Sequence, residues 1–127
     1  MAAARVLVVD DEPAVLDLMF KALSLQGYEV QVAPSPLQAL RLVHDTPCFD
    51  LVVSDVIMPE MCGPELVKRI MELCPAAAVV VMSAHIDGHE MAARLGSSRV
   101  PTHVHFLSKP FRVTDLYSVV EKALAPS

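Results

Sequence analysis

Residues 5–11 read RVLVVDD, followed by Glu12 and Pro13. Four consecutive apolar residues, Val6 to Val9, end abruptly in two carboxylates. Unbroken apolar character suits a strand covered on both faces, because a strand wetted on one side alternates apolar with polar residues. Working outward, four more short runs rich in β-branched residues predict strands at Glu29–Ala33, Leu51–Ser54, Ala78–Met82 and Val104–Leu107. Between them the apolar period lengthens to three and four. In Ala14–Leu25 the residues Val15, Leu18, Met19, Ala22 and Leu25 form a helical stripe, with Pro13 where a first turn tolerates it and Gly27 as the stop. A second helix starts at Pro36 and carries Leu37, Ala39, Leu40 and Val43. The third opens at Pro64, buries Leu66, Val67, Ile70, Met71 and Leu73, and ends before Pro75. Asp87–Leu95 is a weaker fourth, and Leu116, Val119, Val120 and Leu124 mark a fifth that Thr114 is placed to cap.

Five alternations of strand and helix imply an α/β fold, a doubly wound five-stranded parallel sheet flanked by five helices. The 127 residues form one domain, 1–127, with no repeat and no low-complexity tract. A chain of this size with 54% hydrophobic and 20% charged residues builds a packed core without a disulfide or structural metal. Net charge is -5 and no basic patch forms, which argues against direct nucleic-acid binding. The longest apolar stretches fall short of the ~20 residues of a membrane helix, and no export segment precedes Arg5, so a cytoplasmic setting without membrane insertion is expected. Cys48, Cys62 and Cys74 lack the spacing of zinc or redox pairs and are read as reduced, packing thiols.

In open sheets of this kind chemistry gathers beyond the carboxyl ends of the strands. Asp10 and Asp11 follow the first strand, Asp55 the third, Ser83 the fourth and Lys109 the fifth. Three carboxylates brought together repel, and a hard cation relieves the conflict; an all-oxygen set suits Mg²⁺ over Zn²⁺. A metal, a carboxylate, a hydroxyl and an ammonium are the parts of phosphoryl transfer, with Asp55 as nucleophile and Lys109 neutralising charge on the phosphoryl oxygens. Any one of these acids alone reads more simply as a turn or cap residue. Turn statistics do not account for four strand ends together.

The blocks VLVVDDEP (6–13), DLVVSDVIMPEMCG (50–63), VVMSA (80–84) and FLSKPF (106–111) resemble, in order and over nearly the whole chain, the receiver domain of bacterial response regulators in two-component signalling. That resemblance implies a flavodoxin-like strand order of 2-1-3-4-5. It implies a domain that accepts a phosphoryl group on Asp55 from a histidine kinase or histidine phosphotransfer domain, and that is a signalling module rather than a turnover enzyme. Asp11, Asp55 and the backbone carbonyl of Ile57 would bind Mg²⁺, with Asp10 acting mainly through coordinated water. Ser83 and the Ala84 amide would receive phosphoryl oxygens, Lys109 would pair with the phosphate, and a cis bond is expected before Pro110. Gly63 matches the small residue of the acceptor loop. Ser83 and Phe106 would be the switch pair, changing the surface formed by the fourth helix, fifth strand and fifth helix. Phe106 also reads as plain core.

Two features are particular to this chain. The segment GSSRVPTHVH (96–105) is longer than the family's usual turn, and with the MSA and FLSKPF blocks it resembles receivers attached to hybrid sensor kinases. The chain is compatible with a free-standing regulator or with a piece of a longer one; the output partner is not specified by these residues. Ile57 and His85 flank the acceptor groups and are expected to tune phosphate lifetime, or else to be rim residues. Competing functions are a flavodoxin-like cofactor binder, disfavoured by Asp10 and Asp11 where a phosphate would lie, and an aspartate-nucleophile phosphatase, disfavoured by Ile where a second acid is usual.

Overall fold

The computed structural model describes residues 3–45, 48–55, 63–83 and 104–125. In chain order the elements are β1 (Arg5–Val9), α1 (Pro13–Leu25), β2 (Glu29–Ala33), α2 (Pro36–Asp45), β3 (Leu51–Asp55), α3 (Gly63–Leu73), β4 (Ala78–Ser83), β5 (Val104–Ser108) and α4 (Val113–Leu124). All five strands pair in parallel in the order β2-β1-β3-β4-β5. The doubly wound, flavodoxin-like architecture is therefore as the sequence predicts. Four helices flank the sheet among the described residues, and the expected helix over 87–95 lies outside them.

Strand alternation divides the core. Val6 and Val8 of β1 point to one face, where Leu51, Val53, Val80, Met82 and Leu107 meet Leu16, Met19 and Leu23 of α1 and Leu116 and Val120 of α4. Leu7 and Val9 point to the other, against Ala39 and Val43 of α2 and Leu66 and Ile70 of α3. Val6 to Val9 are wholly buried, so β1 needs apolar side chains in both phases of its pleat. Each fully buried Val or Leu contributes roughly 1.5–3 kcal/mol relative to exposure. The phenol of Tyr117 in α4 donates to the Ala22 carbonyl of α1 at 3.1 Å, joining the two helices of the first face.

The helix ends follow local chemistry. Past α1, Gly27 adopts a φ of 91°, its N–H donates to Ser24 O and that of Tyr28 to Leu23 O, the paired bonds of a Schellman ending. The cap of α4 differs from expectation. Asp115 accepts the Arg112 N–H at 3.0 Å, and Thr114 lies inside the first turn, because an acid at the third helical position reaches back to the capping amide.

A larger correction concerns the thiols. Cys48 and Cys74, read as reduced, are joined by a disulfide with their Cα atoms 5.7 Å apart. The topology sets the end of α3 beside the segment entering β3, which a separation of 26 residues does not announce. No helix among the described residues is long and apolar enough to cross a membrane.

Candidate functional site

Asp55 is the last residue of β3, one position further into the strand than the sequence suggests, and its Cα is in register with Met82 of β4. β1 ends just before Asp10, whose N–H still donates to Ala33 O of neighbouring β2 at 3.3 Å. The sheet itself thus brings the two acids to one edge. Asp10 is fully buried, Asp55 is 8% exposed and Asp11 faces solvent, and one oxygen from each lies within 4.8 Å of the others.

Lys109, just past β5, reaches across the strand ends. Its Nζ lies 3.4 Å from Asp10 Oδ2 and 3.3 Å from Asp55 Oδ2. The Lys109–Pro110 peptide is cis, as expected. The other oxygen of Asp10 accepts the Glu12 N–H at 2.9 Å, an Asx turn that aims the side chain while Pro13 starts α1.

Burial pushes the Asp10 carboxyl above its ordinary range; the Asp55 charge adds to this, while the Glu12 N–H and Lys109 oppose it. Burial also works against a charged Lys109, but Asp10 and Asp55 together outweigh it, and its pKa is raised. Among the described residues the Lys109 ammonium thus contacts two of the three clustered carboxylates, Asp10 and Asp55. The donors are all oxygen, one of them on the solvent side, which fits a hard divalent cation that keeps water in its shell.

Of the other predicted site residues, Ser83 ends β4 opposite Ser108 of β5. Phe106, half-buried on β5, packs against the cluster of Val67, Val79, Val81 and Val104. Ile57, Ala84 and His85 lie outside the described residues. Two contributors went unrecognised in the sequence. Ser54, wholly buried, donates its hydroxyl to the Asp55 carbonyl at 3.0 Å. Glu12, with Val15, Lys109, Pro110 and Phe111, lines an open cleft of about 370 Å³ beside the acids. The Asx-turn potential of Asp10 was the available signal for Glu12; nothing in the sequence separates Ser54 from a packing residue.

A doubly wound parallel sheet whose strand ends gather three acids and a lysine is the arrangement that the receiver resemblance of the sequence implies. The chain belongs to the response regulator receiver domain family, whose model matches residues 6–121. It is 36% identical over 126 residues to the DNA-binding transcriptional regulator NtrC of Azospirillum brasilense, covering 98% of this chain and 25% of that protein. It is 32% identical to the response regulator receiver protein CpdR of Brucella abortus, covering 94% of this chain and 96% of CpdR. The crystal structure of the receiver domain from the hybrid histidine kinase CckA superposes with a TM-score of 0.79 at 32% identity, over 96% of this chain and all of that domain. The chain thus spans about a quarter of the NtrC relative, and receivers from a transcription regulator and from a hybrid kinase both resemble it.

Proposed function

We propose that this receiver domain takes a phosphoryl group onto Asp55 from a phosphohistidine of a kinase or phosphotransfer protein. The observation that carries the proposal is the convergence of Asp10, Asp11, Asp55 and Lys109 at one edge of the sheet. A carboxylate oxygen of Asp55 attacks phosphorus as the P–N bond to the donor imidazole breaks, and the imidazole leaves with the bonding pair. Asp55 suits this role because it combines slight exposure with a backbone fixed by strand pairing and by the Ser54 hydroxyl. Asp10 is committed to Glu12 and Lys109.

Asp10, Asp11 and Asp55, with the Ile57 carbonyl, would hold Mg²⁺, whose bound charge neutralises the acids and the phosphoryl oxygens. Lys109, in contact with Asp10 and Asp55, supplies a second positive charge and would pair with the phosphoryl oxygens once the Asp55 carboxylate is phosphorylated. Ser83 and the Ala84 N–H donate to the remaining phosphoryl oxygens. Movement of Ser83 toward the phosphate then lets Phe106 turn inward, altering the face that β5 and α4 contribute to. Ile57 and His85 set how readily water hydrolyses the acyl phosphate. The protein is modified once per cycle, as a signalling component in the cytoplasm, and does not turn over substrate.

The test is incubation with acetyl phosphate and Mg²⁺, followed by intact-mass analysis. One phosphoryl group per chain is expected, none in Asp55→Ala, and none when the metal is chelated. Undiminished labelling of Asp55→Ala would place the acceptor elsewhere.

A further inference from the structure

We infer that Cys48 and Cys74 form a redox latch, a thiol–disulfide pair that exchanges with small-molecule disulfides and, when closed, fastens the end of α3 to the entry of β3. The pair is held in position by bonds that do not depend on the sulfurs. Cys74 follows α3 with its N–H on Ile70 O at 2.7 Å, and its carbonyl accepts the Ala77 N–H at 3.1 Å. On the other side, Arg5 and Asp50 bind each other twice: the Arg5 N–H donates to Asp50 Oδ2 at 2.8 Å, and the Asp50 N–H donates to Arg5 O at 2.8 Å. The Arg5 guanidinium also sits 4.8 Å above the Phe49 ring and bonds the Cys48 carbonyl. A Cα separation of 5.7 Å is within the range a disulfide spans without backbone movement. The reduced thiols therefore remain within bonding reach.

The two sulfurs differ in access. Cys48 is exposed and Cys74 is 2% exposed. An external thiolate or disulfide meets Cys48 first. In the closing direction the Cys48 thiolate attacks a glutathione disulfide, expelling one glutathione thiolate and leaving a mixed disulfide; Cys74, deprotonated, then displaces the second. Two protein thiols and one glutathione disulfide become one protein disulfide and two glutathione thiols. In reverse, attack at Cys48 expels the buried Cys74 thiolate.

Closure makes a covalent ring from Cys48 to Cys74 that contains all of β3, Asp55 and all of α3. Open, the last turn of α3 is held only by packing and hydrogen bonds. The latch operates whether or not Asp55 is a phosphoacceptor, and its test does not depend on that reading.

The full chain carrying Cys62→Ser, so that two thiols remain, is equilibrated with reduced or oxidised glutathione and followed by intact mass, peptide mapping and melting. Oxidation is expected to remove two hydrogens, yield a peptide cross-linked through Cys48 and Cys74, raise the melting temperature by roughly 5 °C or more, and slow amide exchange over residues 70–74. Cys48→Ser in the same background, a change at an exposed site, should melt alike in both buffers. Two thiols still open to alkylation after oxidised glutathione, a stable glutathione adduct without the cross-link, or equal melting of the oxidised and reduced forms would each overturn the latch.

Discussion

At the scale of the residue, Asp10 combines a cost and a use. Its buried carboxyl titrates above the ordinary range, so the folded protein binds that proton more tightly than the unfolded chain does. The corresponding stability is present at low pH and lost as pH rises from the unfolded value through the raised folded one. In Mg²⁺-free buffer Asp10→Asn should therefore be more stable than the parent. The difference should grow through that window and level off above it, as read by urea unfolding at a series of pH values; a constant difference would assign the effect to packing. The same substitution should weaken Mg²⁺ binding. At about 100 times its dissociation constant Mg²⁺ is expected to raise parental stability by ~2.7 kcal/mol, and the variant should gain much less at the same concentration. Lys109 has the complementary behaviour: its raised pKa means that its stabilising charge is complete below the unfolded lysine value and fades only as pH climbs through the higher folded one.

At the scale of the element, the strands were legible because burial on both faces leaves a run of branched apolar residues with no polar phase. The two edge strands, β2 and β5, are the exceptions: EVQVA and VHFLS keep half-exposed positions and were readable from their β-branched and aromatic content. Helix endings were legible where a special backbone residue marks them. Gly27→Ala meets no atom within 4 Å, so its cost is conformational; the positive φ should make it about 1–2 kcal/mol less stable, measured by denaturant midpoint, with Gly27→Asn closer to the parent. Thr114 misled because hydroxyl residues are good caps in general, while here an acid one residue later captures the Arg112 amide. The strand-end acids were found because each chemical type stands at a position where the topology requires convergence. Ser54 was not, since a serine within an apolar strand carries no directional signal.

At the scale of the whole molecule, what the sequence could not convey is proximity between segments far apart along the chain. Cys48 and Cys74 have no motif spacing, and only the crossing of α3 under the sheet makes them neighbours. Long-range packing should also govern the response to core truncation. Leu116 joins α4 to the α1 face and is fully buried, so Leu116→Ala should cost about 2–5 kcal/mol, observable as a lower midpoint with an unchanged denaturant slope. A changed slope would instead mean that α4 separates from the sheet before the rest unfolds.

Because Asp55 is itself part of the strand ladder, opposite Met82 and braced by Ser54, its carboxylate stands on an anvil. A rigid anvil cannot travel to meet a donor. On the proposed reading, the cleft wall built by Glu12, Val15 and Phe111 is where, among the described residues, differences in donor shape would be met. Exchanging those side chains should retarget which donors are accepted while leaving intact the chemistry performed on them.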